Sequence, residues 1–391
     1  MDAVPFTIAV PDEVLADLVE RLRRTRWPDA VAGSGWDDGA SLPYLKDLAR
    51  TWAETFDWRA QERKLNELPQ FRAEIDGLGI HFVHARGRGP APLPLLVSHG
   101  WPGSFAEMTR LVPLLADPGA HGGDPRDAFD VVVPSMPGYG FSDRPTERGV
   151  TNRRIADLWA QLMTGLGYDR FAAQGGDWGA GVSTYLALRH PERLIGIHLN
   201  YIPGSYAPDL SPGTPPLSAE EQEFLAVRDR WIETEYAYGH LQATRPQTAA
   251  FGLNDSPAGL AAWIVEKLRD WSDCEGDVES RFSRDEILSH LTLYWVTGTI
   301  GSSMRLYRES RATPLRLEPG QRVEVPTAAA RFAKEAPFPP RSWIERGYDL
   351  RRYTEFPRGG HFAAMEEPEL LAEDVRKFFK ELRAVRRSDL A

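Results

Sequence analysis

Between residues 71 and 200, short apolar runs alternate with helical periods, and few folds accommodate that rhythm. Runs at 71–76, 79–85, 93–98 and 129–134 are rich in apolar or β-branched residues and are broken by Gly and Pro. The periodicity then predicts a helix over 152–167, a strand at 170–174, a helix at 180–189 and a strand at 194–200. Strands alternating with helices imply a mostly parallel central sheet covered by helices on both faces. Residues 203–310 interrupt the pattern. They are rich in Trp and Tyr, read as mainly helical, and carry the loop Ser211-Pro212-Gly213-Thr214-Pro215-Pro216. The rhythm resumes with a strand at 321–328, a helix at 340–346, a strand at 348–356 and a helix at 367–384.

Ahead of the sheet, residues 11–26 read as an amphipathic helix. Pro11 suits its first turn, Asp12 and Glu13 its positive end, and Val14, Leu15, Leu18, Val19 and Leu22 form an apolar stripe. Trp27-Pro28 ends it, and residues 43–56 read as a second helix. The expected organisation is a helical segment over 1–68, a core begun over 69–202, a helical cap over 203–312 and the core completed over 313–391.

Composition narrows the function classes. With 391 residues and 42% of them hydrophobic, the chain can bury a large core. A net charge of −10 argues against a general nucleic-acid binder, which needs a basic face. The single Cys274 excludes an internal disulfide framework and a Cys-rich zinc site. No His-Glu-x-x-His or similar spacing points to a metal. The first residues carry no basic stretch followed by an apolar one, and no run of about 18 apolar residues predicts a membrane span. The expected setting is the cytoplasm.

The sharpest local signal is Gln174-Gly175-Gly176-Asp177-Trp178-Gly179, at a predicted strand-to-helix junction. A nucleophile elbow needs small residues around a tight, strained turn, in the order G-x-nucleophile-x-G. Gly175, Asp177 and Gly179 fit that order, and the following helix N-terminus favours an ionised carboxylate. A carboxylate nucleophile attacks an sp³ carbon bearing a leaving group and leaves an alkyl ester for water to hydrolyse. Taken alone, the six residues leave open the blander reading of a helix cap in a Gly-rich turn. Phosphate binding fits less well, because the P-loop lysine is missing and Asp177 would repel the ligand.

In the α/β-hydrolase fold the chain order is nucleophile, acid, histidine. His361, in Gly359-Gly360-His361-Phe362 after the last strand, is the candidate base that activates water. The acid should follow the preceding strand, where Glu335 sits; Glu345, Asp349 and Glu355 compete with it. His99 is read as loop-shaping and His190 as structural, while His81 and His84 on an early strand and His121 in a loop are weaker candidates. The loop Ser98-His99-Gly100-Trp101-Pro102-Gly103-Ser104 follows a strand where the fold places oxyanion donors, which makes the N–H groups of Trp101 and Trp178 the candidates.

Taken together, the motifs make a resemblance specific. The strings Arg21-Leu-Arg-Arg-Thr-Arg-Trp-Pro-Asp29, His99-Gly-Trp-Pro-Gly-Ser104, Pro137-Gly-Tyr-Gly-Phe-Ser142 and Gly175-Gly-Asp-Trp-Gly179 come first. Leu253-Asn-Asp-Ser-Pro257, Tyr294-Trp-Val-Thr-Gly-Thr-Ile300 and Gly359-Gly-His-Phe-Ala-Ala364 follow. In this order, over almost the whole chain, they resemble the microsomal-type (juvenile-hormone-type) epoxide hydrolases. The resemblance implies an α/β-hydrolase fold with a helical cap and an N-terminal segment that wraps the core and holds the cap. It implies hydrolysis of a small-molecule epoxide to a vicinal diol without a cofactor, with Asp177 as nucleophile, Glu335 as acid and His361 as base. It adds Tyr238 and Tyr307 as cap residues that donate protons to the epoxide oxygen, with the neighbouring Tyr236 as an alternative to Tyr238. Animal members begin with a membrane anchor that this sequence does not show, so the resemblance implies a soluble bacterial-type enzyme and leaves a homodimer open.

Two rivals share parts of this pattern. A haloalkane dehalogenase also uses an Asp nucleophile in this fold, but needs halide-binding N–H donors where the resemblance places tyrosines. A binding protein on an inactive hydrolase fold would not need the apparent triad. The aromatic cap, with Trp231, Trp263, Trp271 and Trp295, suits an apolar or aryl substrate, although the same residues also suit a packed core.

Overall fold

The computed structural model describes residues 1–335 and 337–388, with side chains through Arg383. Residues 336 and 389–391, in the segment expected to complete the core, lie outside the described residues. The chain opens with strand β1 (Val4–Pro5) and helices α1 (Asp12–Arg23), α2 (Leu42–Glu54) and α3 (Trp58–Leu65). Then come β2 (Gln70–Ile75), β3 (Leu78–Ala85), β4 (Leu93–Ser98), α4 (Leu111–Ala116) and β5 (Phe129–Pro134). The middle of the core is α5 (Asn152–Gly165), β6 (Phe171–Gly175), α6 (Asp177–Arg189) and β7 (Leu194–Leu199). A helical excursion follows: α7 (Ala219–Thr234), α8 (Ala237–Thr244), α9 (Pro246–Leu253), α10 (Pro257–Asp270), α11 (Arg284–Thr297) and α12 (Ile300–Ser310). The core is completed by β8 (Val323–Arg331), α13 (Arg341–Glu345), β9 (Tyr348–Glu355), α14 (Ala363–Glu366) and α15 (Pro368–Ser388).

The strands form one nine-stranded sheet in the order β1-β2-β3-β5-β4-β6-β7-β8-β9. The pairs from β1 to β5 are antiparallel, and every pair from β5 onward to β9 is parallel. Alternation along the central strands sorts their side chains onto two faces. Leu96 and Val132 pack on the side that α5 and α6 cover. Leu95, Val97, Val131 and Val133 pack on the side that α4 and α15 cover. This is the two-faced burial that the uninterrupted apolar strands predict.

Placement of the site follows from topology. β4 lies between β5 and β6, so the chain leaves the C-terminal end of β4 for one side and that of β6 for the other. Such a reversal opens a crevice at the carboxyl ends of the strands, where open α/β sheets bind ligands.

Some local expectations were displaced. The elbow helix starts at Asp177, not at 180. The β8 strand runs to Arg331, and its pairing with β9 shifts between Val323 and Ala328, around Pro326, which has no N–H to give the ladder. The N-terminal helices grip the excursion. The Arg21 guanidinium meets the Asp255 carboxylate at 2.7 Å, Trp52 Nε1–H donates to Thr292 Oγ1 at 2.9 Å, and Arg284 reaches Asp47 at 2.8 Å. Among the described residues, no helix is long and apolar enough to cross a membrane.

Candidate active site

Asp177 occupies the turn from β6 into α6 with φ at +45°, a left-handed backbone uncommon for a residue with a side chain. The turn is possible because its flanks are bare. A Cβ on Gly175 would run into the Gly179 carbonyl, and one on Gly179 would run into the Ser98 carbonyl. β4 pairs with β6 through Ser98 and Gly175, which brings the loop after β4 against the elbow. The Trp101 N–H therefore donates to Asp177 Oδ1 at 2.8 Å. Trp178 is the second residue of α6, so its N–H lies among the helix-terminal donors that have no intrahelical acceptor.

The loops after β8 and β9 deliver the other two groups. Nδ1 of His361 lies 2.9 and 3.1 Å from the two carboxylate oxygens of Glu335, and Nε2 lies 3.4 Å from Asp177 Oδ2. Burial alone would lower the His361 pKa. The Glu335 charge and the contacts with Asp177 and Glu335 outweigh it, and hold the pKa well above the usual imidazole value. The three competing carboxylates are engaged elsewhere: Glu345 with Arg341, Asp349 with Arg351 and Glu355 with Arg331.

His99 shapes the loop. Its Nε2 accepts the Met136 N–H at 3.1 Å, so its Nδ1 carries the hydrogen directed at the Gly100 carbonyl, 3.0 Å away. Burial brings its pKa down to about 4, which keeps the ring neutral. His81 is locked between Ser135 Oγ and Gln70 Oε1, and His190 pairs with Asp157. No group of three or more potential metal ligands occurs among the described residues.

Tyr238 on α8 and Tyr307 on α12 are both buried, with ring centroids 6.0 Å apart. Trp101 stacks on Tyr238 at 5.3 Å, and the Trp178 ring meets Tyr307 edge-on at 4.7 Å. Burial, reinforced for both by the negative charge of Asp177, raises both phenol pKa values well above the ordinary one. Both hydroxyls therefore keep their protons and remain donors. Tyr236 packs beside Tyr238, 5.5 Å between centroids, and is only partly buried. A cavity of about 370 Å³ runs over these groups, lined by Asp177, Tyr238 and Tyr307 with Trp231, Tyr236 and Leu315 among its walls.

Several contacts near the site were not anticipated from the sequence. On α11, His290 Nε2–H donates to the Pro102 carbonyl at 2.5 Å and Tyr294 Oη–H to the Gly103 carbonyl at 2.8 Å, so the excursion holds the loop that carries Trp101. The His361 N–H donates to the Trp271 carbonyl at 2.8 Å. Lys267 is buried with its ammonium 4.9 Å from the Tyr238 ring centroid. Glu107 lies buried beside the loop that follows β4, accepting the Ser104 N–H at 2.9 Å. Only Glu107 had a local signal, the Ser-x-x-Glu spacing of a capping box.

Fold and site together define an α/β-hydrolase with an aspartate at the elbow. Residues 94–368 match the family described as alpha/beta hydrolase fold, and residues 3–108 match the one described as epoxide hydrolase N terminus. A Stigmatella aurantiaca protein provisionally named an epoxide hydrolase is 47% identical over 97% of this chain and 85% of its own. Epoxide hydrolase 1 of Sus scrofa is 39% identical over 96% of this chain and 88% of its own. The crystal structure of the juvenile hormone epoxide hydrolase of Bombyx mori superposes with a TM-score of 0.84 at 31% identity, covering 98% of this chain and 95% of that one. The Aspergillus niger epoxide hydrolase structure gives 0.85 at 32%, covering 98% and 97%. The chain belongs to the epoxide hydrolase family, as its motifs imply.

Proposed function

We propose that this epoxide hydrolase converts its substrate to a vicinal diol through a hydroxyalkyl ester on Asp177. Oδ1 is held by the Trp101 N–H, which leaves Oδ2 to attack an epoxide carbon. The Tyr238 and Tyr307 hydroxyls donate to the epoxide oxygen as charge develops on it, which is where stabilisation accelerates the step. Esterification removes the Asp177 charge, one of the causes that raise the His361 pKa. His361 can then give up its proton, which goes to the alkoxide oxygen left by ring opening and makes it the first diol hydroxyl, and become the neutral base that hydrolysis requires. Water attacks the ester, and the Trp101 and Trp178 N–H groups bind the oxyanion. No step calls for a cofactor.

The observation that carries this reading is the continuous line Glu335–His361–Asp177, with two buried tyrosines in the cavity above it. A dehalogenase would place halide-binding N–H donors where the two phenols stand. The helices of residues 203–312 act as the cap, and the aromatic cavity of about 370 Å³ suits an apolar or aryl epoxide. The lone, buried Cys274, with no partner for an internal disulfide, fits a cytoplasmic setting. The test is a single turnover in ¹⁸O-water. Diol carrying unlabelled oxygen from the Asp177 carboxylate is expected; full labelling in that first turnover would mean direct attack by water.

A further inference from the structure

The lining of the cavity over Asp177 changes character away from the nucleophile. Tyr238 and Tyr307 are buried beside Asp177, whereas Arg228 in the same lining is only partly buried and Arg311 is exposed. Each arginine stands one helical turn from a residue nearer the chemistry. On α12, Arg311 follows Tyr307 by four residues and its N–H bonds the Tyr307 carbonyl at 3.1 Å, so both side chains leave the same face of the helix. On α7, Arg228 precedes Trp231 and Ile232 by three and four residues, and all three line the cavity. Trp231 meets Tyr236 at 6.0 Å between centroids, and Tyr236 meets Tyr238 at 5.5 Å. Both walls thus lead from a phenol outward to a guanidinium. A third cation stands near. Burial raises the pKa of Tyr185, another lining residue, and the Arg153 charge opposes that rise, so Arg153 lies close by. Opposing charge is scarce. Acidic residues outnumber Lys and Arg by 56 to 46 in the chain, yet Asp177 is the one carboxylate in this lining among the described residues. Asp229 pairs with Arg228 at 2.7 Å but is largely exposed and stands outside the lining. Arg311 has no ion-pair partner among the described residues.

We infer that the mouth of this cavity is an anion-binding site formed by Arg228 and Arg311, and that the enzyme prefers epoxides carrying a carboxylate at the end remote from the oxirane. The inference rests on the reading, proposed above, that the substrate lies in this cavity with its epoxide at Asp177 and the two phenols. A planar guanidinium presents paired N–H donors that match the two oxygens of a carboxylate. At the mouth the carboxylate keeps part of its water, so its charge is recognised without the cost of full burial. The apolar or aryl body of the substrate fills the space between, against Trp231 and Leu315. Arg228 and Arg311 touch the substrate away from the bonds that change, so they select it through binding and not through the transition state. Arginine stems that only covered apolar surface of the cap would give no such preference.

The test compares three epoxides of one shape: styrene oxide carrying a para carboxylate, a para methyl ester or a para trimethylammonium group, with styrene oxide itself as reference. The wild-type enzyme should give the carboxylate the highest kcat/KM, and added salt should shrink that lead, because the mouth is open to ions. A hydrogen bond to a charged group is worth about tenfold in binding, so Arg311→Gln should lower kcat/KM for the carboxylate by about that factor relative to the ester, mainly through KM. Arg228→Gln should act in the same direction but less, because Asp229 already offsets part of its charge. Arg311→Glu should reverse the order and favour the trimethylammonium epoxide. Equal losses for all three substituted epoxides in the variants would show that the arginines only pack the cap. That result, or a wild-type enzyme indifferent to the para charge, overturns the inference. Failure of the wild-type enzyme to turn over any of the four, styrene oxide included, would be a different outcome: it would remove the reading beneath, that this cavity holds the epoxide, and the inference with it.

Discussion

Nε2 of His361 stands 3.4 Å from Oδ2 of Asp177, while the far side of the same ring is held by Glu335. Two carboxylates on one buried imidazole favour the imidazolium, and in the proposed mechanism only Asp177 loses its charge, when it is esterified. The alkylated enzyme should therefore hold a more weakly basic His361 than the resting enzyme. Asp177→Asn imitates the loss of charge. An opposite charge at this range shifts a pKa by about 1–3, so the His361 titration midpoint should fall by about one pH unit or more in the variant. NMR of the ring nitrogens reads it directly. An unmoved midpoint would mean that Glu335 alone sets the ionisation and that esterification does not switch the base.

Removing the base should stall the second half of the reaction only. His361→Gln is expected to alkylate and then accumulate an intact protein–substrate adduct, seen by mass spectrometry. Glu335→Gln should also slow hydrolysis strongly, because Glu345, Asp349 and Glu355 are each tied to an arginine and leave no obvious substitute. Asp349→Asn should be silent. If Asp349→Asn abolished turnover and Glu335→Gln did not, the acid would be misassigned.

A separate carboxylate fixes the last helix to the sheet. Asp374 on α15 accepts from His198 of β7 at 3.0 Å, and from Arg352 at 2.8 Å and Thr354 at 2.8 Å on β9. Asp374→Ala would strand His198 and Arg352, a change that costs about 3–5 kcal/mol when a buried pair is broken. Burial would raise the Asp374 pKa, but its bonds to His198, Arg352 and Thr354 outweigh burial and hold it well below the carboxylate range. The native pKa thus lies below the unfolded one of about 3.9. The stabilisation is complete above that value and is lost as the pH falls through the native pKa. Thermal melts of wild type and Asp374→Ala should differ most near neutral pH and converge in acid; a constant gap would show that Asp374 contributes packing, not charge.

How much of this was legible in the sequence depended on how local each constraint is. The elbow was visible because a tight turn must be bounded by Gly175 and Gly179, and His361 because the fold fixes where a base arrives. Glu335 had only its place after a strand to recommend it, and what distinguishes it from Asp349 is a hydrogen bond across 26 residues. Tyr238 and Tyr307 sit on different helices with no shared local pattern, so only resemblance could pair them. Glu107 carried a capping-box spacing that was passed over. Its proximity to the nucleophile comes from β4 lying beside β6, a pairing that sequence periodicity does not specify. The two-residue β1 was too short to leave a periodic trace.

The paired tyrosines separate epoxide opening from halide displacement, and they yield the most discriminating prediction. Tyr238 and Tyr307 are held in place by Trp101 and Trp178, the two residues whose N–H groups flank the nucleophile, so each phenol is fixed relative to Asp177. Burial and the Asp177 charge keep both protonated in the free enzyme. In the proposed mechanism, alkylation of Asp177 removes that charge, and the phenols become better acids just as the epoxide oxygen needs a donor. Loss of one such donor should cost about 10²-fold in alkylation rate, by analogy with a single oxyanion-hole donor. Loss of both should cost more, without simple additivity. Ester hydrolysis should change little, because neither hydroxyl takes part in it. Stopped-flow tryptophan fluorescence on Tyr238→Phe, Tyr307→Phe and the double variant measures the first step, with Tyr236→Phe as control. Tyr236 lines the same cavity and packs on Tyr238, so its variant should disturb substrate fit at most mildly. A native alkylation rate in the double variant, or a large loss confined to Tyr236→Phe, would show that the acid lies elsewhere on the cap.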